Sequence, residues 1–112
     1  MVYTALITFG ASAVQLTDPT NGITTLPKNA ICRRVMVEPL RANTHPSYVG
    51  TSAVTNDASG TGVIQELATP PAATVALDRF EDVARGDHNI DPGIYYVHGT
   101  TSEKCKATVW TI

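Results

Sequence analysis

Between Ile31 and Val63 the chain is cut so often by turn residues that only short β-runs fit. Ile31-Cys-Arg-Arg-Val-Met-Val37 is rich in Val and Ile and is stopped by Pro39. The polar turn Arg41-Ala-Asn-Thr-His-Pro46 follows, then two brief apolar pieces, Ser47-Tyr-Val-Gly50 and Ala53-Val-Thr55. Asn56-Asp-Ala-Ser-Gly60 turns the chain once more, into Gly62-Val-Ile64. Runs of this kind, punctuated by Gly, Pro, Asn and Asp at roughly 8–12-residue spacing, indicate a sandwich or barrel. The pattern predicts an all-β, single-domain antiparallel β-sandwich over residues 1–112. It is expected to be jelly-roll-like, with about 7–9 short strands.

The flanking segments extend the pattern. Val2–Phe9 alternates apolar residues with Thr, as a strand does, and Ala13–Thr17 is a short second strand. Asp18-Pro-Thr-Asn-Gly22 is a strong turn, because Pro presets φ and Asn-Gly tolerates positive φ. Ile23–Leu26 reads as strand up to Pro27, Val63–Leu67 alternates, and Pro70-Pro71 breaks the chain before a further strand at Thr74–Leu77. Asp78–Arg85 is the one segment with helical spacing, Phe80 and Val83 standing at i, i+3. Ile94–His98 and Lys104–Ile112 then form a hairpin around Gly99–Glu103. Alternation puts Cys105, Ala107 and Val109 on the core face of the last strand and Trp110 outward with Lys104 and Lys106. The only Trp, so placed, either covers a sheet edge or anchors a contact.

Composition excludes several classes of partner. Charged residues make up 16% of the chain, well below the usual ~25%, so part of the surface is expected to be covered by other subunits, with a surface of abundant Thr, Ser and Ala as the alternative. A net charge of −2 and scattered Lys and Arg argue against nucleic acid. No apolar run approaches the ~18 residues of a membrane span, and the first residues have no basic region of a signal peptide. The chain therefore reads as soluble and made in a cytoplasm. Cys32 and Cys105, each within an expected strand, read as reduced, buried thiols, with a disulfide between neighbouring strands as the alternative.

Catalytic groups are scarce. His45, His88 and His98 sit in separate segments, and Asp87-His88 with Asp91, the nearest approach to a metal cluster, reads as a solvated turn. Asn56–Gly62 is Gly-rich but lacks the Lys and following helix of a phosphate loop. No Gly-x-Ser-x-Gly elbow occurs. The expectation is a protein that is not an enzyme, with no catalytic residue, no metal, no cofactor and no small-molecule substrate.

The order Cys32-Arg-Arg-Val35, Val37, Asn43, Pro46, Tyr48-Val-Gly50, Val54-Thr55, Gly62-Val63, Leu67, Ile94-Tyr95, Val97, Gly99 and Val109-Trp110 resembles small β-sandwich virion proteins of tailed bacteriophages. These include decoration or cement proteins of the head. The resemblance spans about Ile31 to Trp110 and implies a structural protein that binds major capsid protein on the outer surface of an assembled head. It also implies a homodimer or homotrimer located in the virion. A head-fibre or tail-associated module binding a receptor or carbohydrate, with Tyr48, Tyr95, Tyr96 or Trp110 as a stacking platform, is the alternative. The expected contact residues are Arg41, Asn43 and His45 in one loop, Arg85, Asp87 and His88 in another, and Trp110.

Overall fold

A computed structural model describes residues 1–70 and 75–112. Among these, eight strands form: β1 (Val2–Thr8), β2 (Val14–Gln15), β3 (Cys32–Pro39), β4 (Ser47–Gly50), β5 (Val63–Leu67), β6 (Phe80–Val83), β7 (Tyr96–Gly99) and β8 (Lys104–Thr111). The antiparallel pairs β1–β8, β2–β7, β3–β6 and β4–β5 are the rungs of one long hairpin that turns between β4 and β5. Rolling that hairpin up sets β3 beside β8 and β4 beside β7. Two four-stranded sheets result, β1-β8-β3-β6 and β2-β7-β4-β5. This is the wrapping of an eight-stranded jelly roll.

Strand alternation decides which side chains meet between the sheets. The first sheet contributes Ile7, Val35, Val37, Phe80, Cys105, Ala107 and Val109, and the second Val49, Leu67 and Val97. Phe9, Leu16, Ile23 and Tyr95, outside the strands, join the same core. Phe9 lies so close to β7 that a methyl group added at Gly99 would stand 2.4 Å from its ring. Cys32 and Cys105 are buried and free. Cys32 is opposite Thr111 on the β3–β8 ladder and Cys105 is opposite Pro39. About six ladder steps, roughly 20 Å, therefore lie between them, whereas a bridge needs Cα atoms within about 7 Å. Burial pushes the Cys105 thiol up to about 12.

Several local expectations are corrected. Phe80–Val83 is a strand, where a helical turn was expected within Asp78–Arg85. The open side of β3 offers this segment a ladder, and the extended form sends Phe80 into the core, edge-on to Tyr95 with ring centroids 5.0 Å apart. A lone helical turn would leave most of its backbone groups unbonded. Helical backbone occurs among the described residues only as a 3-10 turn at Pro92–Ile94, capped by Asp91, whose side chain accepts the Gly93 N–H. That turn takes Ile94 out of the strand expected at Ile94–His98. Ile23–Leu26 and Ala53–Thr55 form no strand, and neither do residues 75–77. Thr74 and Pro71 lie outside the described residues.

Candidate protein-contact surface

The two sheets differ in what covers their outer faces. On the second sheet, the segment between β4 and β5 folds back over the strands. Its Val54 is 4% exposed, Tyr48 beneath is 5% exposed, and the Val54 carbonyl lies 3.3 Å from His98 Nδ1. Burial, then Glu66, raises the Tyr48 phenol. Two glycines permit so tight a return. A Cβ at Gly50 would stand 1.9 Å from the Gly62 carbonyl oxygen, and Gly62 itself has φ +79°.

Among the described residues, no segment folds over the outer face of the first sheet in this way. Cross-strand register sets its rows: Val2, Trp110, Arg34 and Val83 in one, then Thr4, Thr108, Met36 and Glu81, then Leu6, Lys106 and Glu38. Val2, Leu6 and Val83 are each more than half exposed. Trp110 is half-buried, with the Arg34 guanidinium carbon 4.2 Å from its ring centroid. Glu81 fixes that guanidinium from the neighbouring strand, accepting from Arg34 Nε at 2.7 Å and from Nη2 as well. A cation held over an indole and pinned by a carboxylate is a rigid, amphipathic anchor. Since β8 lies between β1 and β3, Trp110 covers no sheet edge.

The expected contact residues fall into two groups. Arg85, Asp87 and His88 are exposed in the loop after β6. This loop is tied to the start of β3 by Arg33, which donates to the carbonyls of His88 (2.6 Å) and Gly86 (3.1 Å) and to Asn89 Oδ1 (3.3 Å). The register of β3 slips between Cys32 and Arg34, and Arg33 falls at the slip, outside the β3–β8 pairs. Val83 and Trp110 are both opposite Arg34, placing this loop and Trp110 at one end of the open face. Arg41, Asn43 and His45 lie at the other end, beyond Pro39.

In that second loop Arg41 and His45 are exposed, while Asn43 is 7% exposed. The Asn43 amide donates to the Lys104 carbonyl (2.7 Å) and accepts the Lys104 N–H (3.3 Å). Its side chain thus continues the β3–β8 ladder past Pro39, where a proline cannot donate. Glu103 holds the rest of the loop, accepting from Thr44 N–H (2.8 Å), Thr44 Oγ1 (2.9 Å) and His45 N–H (3.3 Å). Burial pushes the Glu103 carboxyl up, but these bonds outweigh it and leave the group below its usual value.

Arg34, Met36, Val2, Leu6 and Val83 were not among the expected contact residues. The alternation along Val2–Thr8 was a local signal for Val2 and Leu6 alone. Among the described residues, no three His, Cys, Asp or Glu side chains are grouped to hold a metal ion, and no helix is long and apolar enough to cross a membrane. A concavity of about 430 Å³ at the start of β3 is lined by Ile23, Leu26, Pro27, Cys32 and Ile90 among others. Compared with family models, curated proteins and solved structures, the chain shows no match.

Proposed function

We propose that this chain is a structural protein of a phage virion, a decoration or cement protein that binds major capsid protein on the outside of the assembled head. The observation that carries the reading is the open outer face of the first sheet with its Trp110–Arg34 anchor. Trp and Arg dominate the energetic centres of protein–protein contacts, and a flat sheet face with apolar side chains at its margins suits a broad protein surface. The loop bearing Arg85, Asp87 and His88 borders the same end and extends the contact. The resemblance to small phage head proteins supplies the identity of the partner.

The mechanism needs no turnover. Surface formed where capsid subunits meet exists only in the assembled shell, so a protein that binds there adds its binding free energy to that state alone. A homodimer or homotrimer matches the symmetric sites a shell offers. No nucleic acid, membrane or small-molecule substrate enters this reading, and the protein is made in the host cytoplasm before joining the virion. The receptor-module alternative fares less well against the geometry. Tyr48 and Tyr95 are interior, and Arg34 occupies one face of Trp110.

The test is to prepare heads lacking the protein, add it back, and measure bound copies and the temperature at which the shell releases DNA. Saturable binding and a raised release temperature are expected. Trp110→Ala should weaken binding by at least about 30-fold, the effect of losing roughly 2 kcal/mol at a central anchor. Failure to co-sediment with heads, together with co-purification with tails or binding of host glycans, would replace this reading with the receptor module.

A further inference from the structure

Strand β1 is the last strand of its sheet, and among the described residues one side of its backbone has no neighbouring strand. The Met1 carbonyl accepts the Thr111 N–H, and the Phe9 N–H donates to the Glu103 carbonyl. Because antiparallel ladders alternate, the odd-numbered residues between them bond to β8. The N–H and C=O groups of Val2, Thr4, Leu6 and Thr8 therefore point to the open edge.

The other three edge strands are guarded. β6 is four residues long and carries Glu81 and Asp82, β2 has two residues, and β5 carries Glu66 beside a register slip in its ladder with β4. β1 has seven residues, Val-Tyr-Thr-Ala-Leu-Ile-Thr, with no charge, no proline and no bulge against β8. An edge of that kind templates another strand.

We infer that β1 is the seam of a homodimer, in which two copies pair β1 with β1 antiparallel about a two-fold axis at Ala5. The first sheets of the two copies then join into one continuous sheet. Parity fixes the register, since a slip of one residue would set inward side chains against outward ones. Centring on Ala5 uses the whole strand. It places Val2 opposite Thr8, Tyr3 opposite Ile7 and Thr4 opposite Leu6, pairs of aromatic, aliphatic and β-branched residues that favour a sheet.

Nothing charged opposes itself across the seam. Lys106, on the next strand, would be about 16 Å from its copy, three strand spacings across and two residues along, beyond a Debye length of ~8 Å. An uncharged strand offers a foreign peptide no charge to be selected by, whereas its own copy matches it face for face. An isologous contact of this kind closes on two subunits, which selects the dimer over the trimer. The inference does not depend on what the open sheet face binds.

The experiment is sedimentation of the full chain over a concentration series, with three variants. The wild type is expected to be a dimer. Thr4→Pro removes one outward N–H and spares the bonds to β8, and Leu6→Lys sets like charges diagonally across the seam; both should lose the dimer while keeping the wild-type circular dichroism. Ala5→Cys should give a disulfide-linked dimer under mild oxidation, because residues at a non-hydrogen-bonded pair have Cα atoms about 4.5 Å apart. A wild type that remains monomeric, a Thr4→Pro dimer as tight as the wild type, or an Ala5→Cys chain that does not cross-link would overturn the seam. A monomeric wild type whose binding to heads is lost with Thr4→Pro would assign the edge to a strand of another protein, and would equally overturn it.

Discussion

Asp82 turns inward from β6 toward the core, and the Tyr95 hydroxyl donates to its Oδ2 there. Burial, and then this bond, raise the Tyr95 phenol from 10.0 to about 12. The fold thus favours the neutral phenol. That contribution is complete below the ordinary tyrosine value and is lost as pH rises toward about 12. Tyr95→Phe should cost about 1–3 kcal/mol, because it leaves a part-buried carboxylate without its donor. Thermal melts would measure the loss, and tyrosinate absorbance should show a component titrating toward about 12 that the variant lacks. Glu103 behaves with the opposite sign. Its carboxyl is held below the usual value, so its contribution is present above the ordinary glutamate range and fades as pH falls through the lowered value. The difference in melting temperature between wild type and Glu103→Gln should accordingly shrink toward acid pH.

At the level of elements, the return of the segment between β4 and β5 depends on two bare backbones. Gly50→Ala should cost about 1–3 kcal/mol by forcing that segment off the sheet. Gly10→Ala, with nothing within 4 Å of the added carbon, should be nearly neutral by comparison. Chemical denaturation of both variants would check the contrast. The same elements show what local sequence can and cannot announce. β1, β3, β4, β5 and β8 were legible because their alternation and bounding turn residues lie within a few positions of each other. β6 was not, because its extended form depends on a ladder from β3, some forty-five residues earlier. Val54 looked like part of a strand because burial over Gly50 and burial within a sheet leave the same apolar mark. The outward placement of Trp110 was readable from Lys104 and Lys106. Its cover by Arg34 was not, since that follows from a β3–β8 register with a slip near Cys32. That the two candidate loops stand at opposite ends follows from topology, which neither loop encodes.

For the molecule as a whole, the first strand pairs with the last, and β8 joins β1 to β3. So many distant contacts must close together that folding should be slow for the chain's size, on a timescale of about milliseconds to seconds. Stopped-flow refolding would measure it, and a chain ending before Lys104 should not fold. Cys32 and Cys105 are 1% and 0% exposed, so labelling of Cys105 by a thiol reagent should proceed only through opening of the core, at a rate set by that opening. The pairing of first strand with last also has a mechanical meaning. Met1 and Thr111 exchange backbone bonds of 3.0 and 2.8 Å, so both ends of the chain enter the sheet side by side. Tension applied between residues 1 and 112 reaches the β1–β8 ladder one rung at a time and peels it like a zipper. Tension between residue 1 and residue 104 would load every rung together, in shear. In an optical trap the first geometry should rupture at the lower force, so the fold is weak in tension through its ends and strong along its strands.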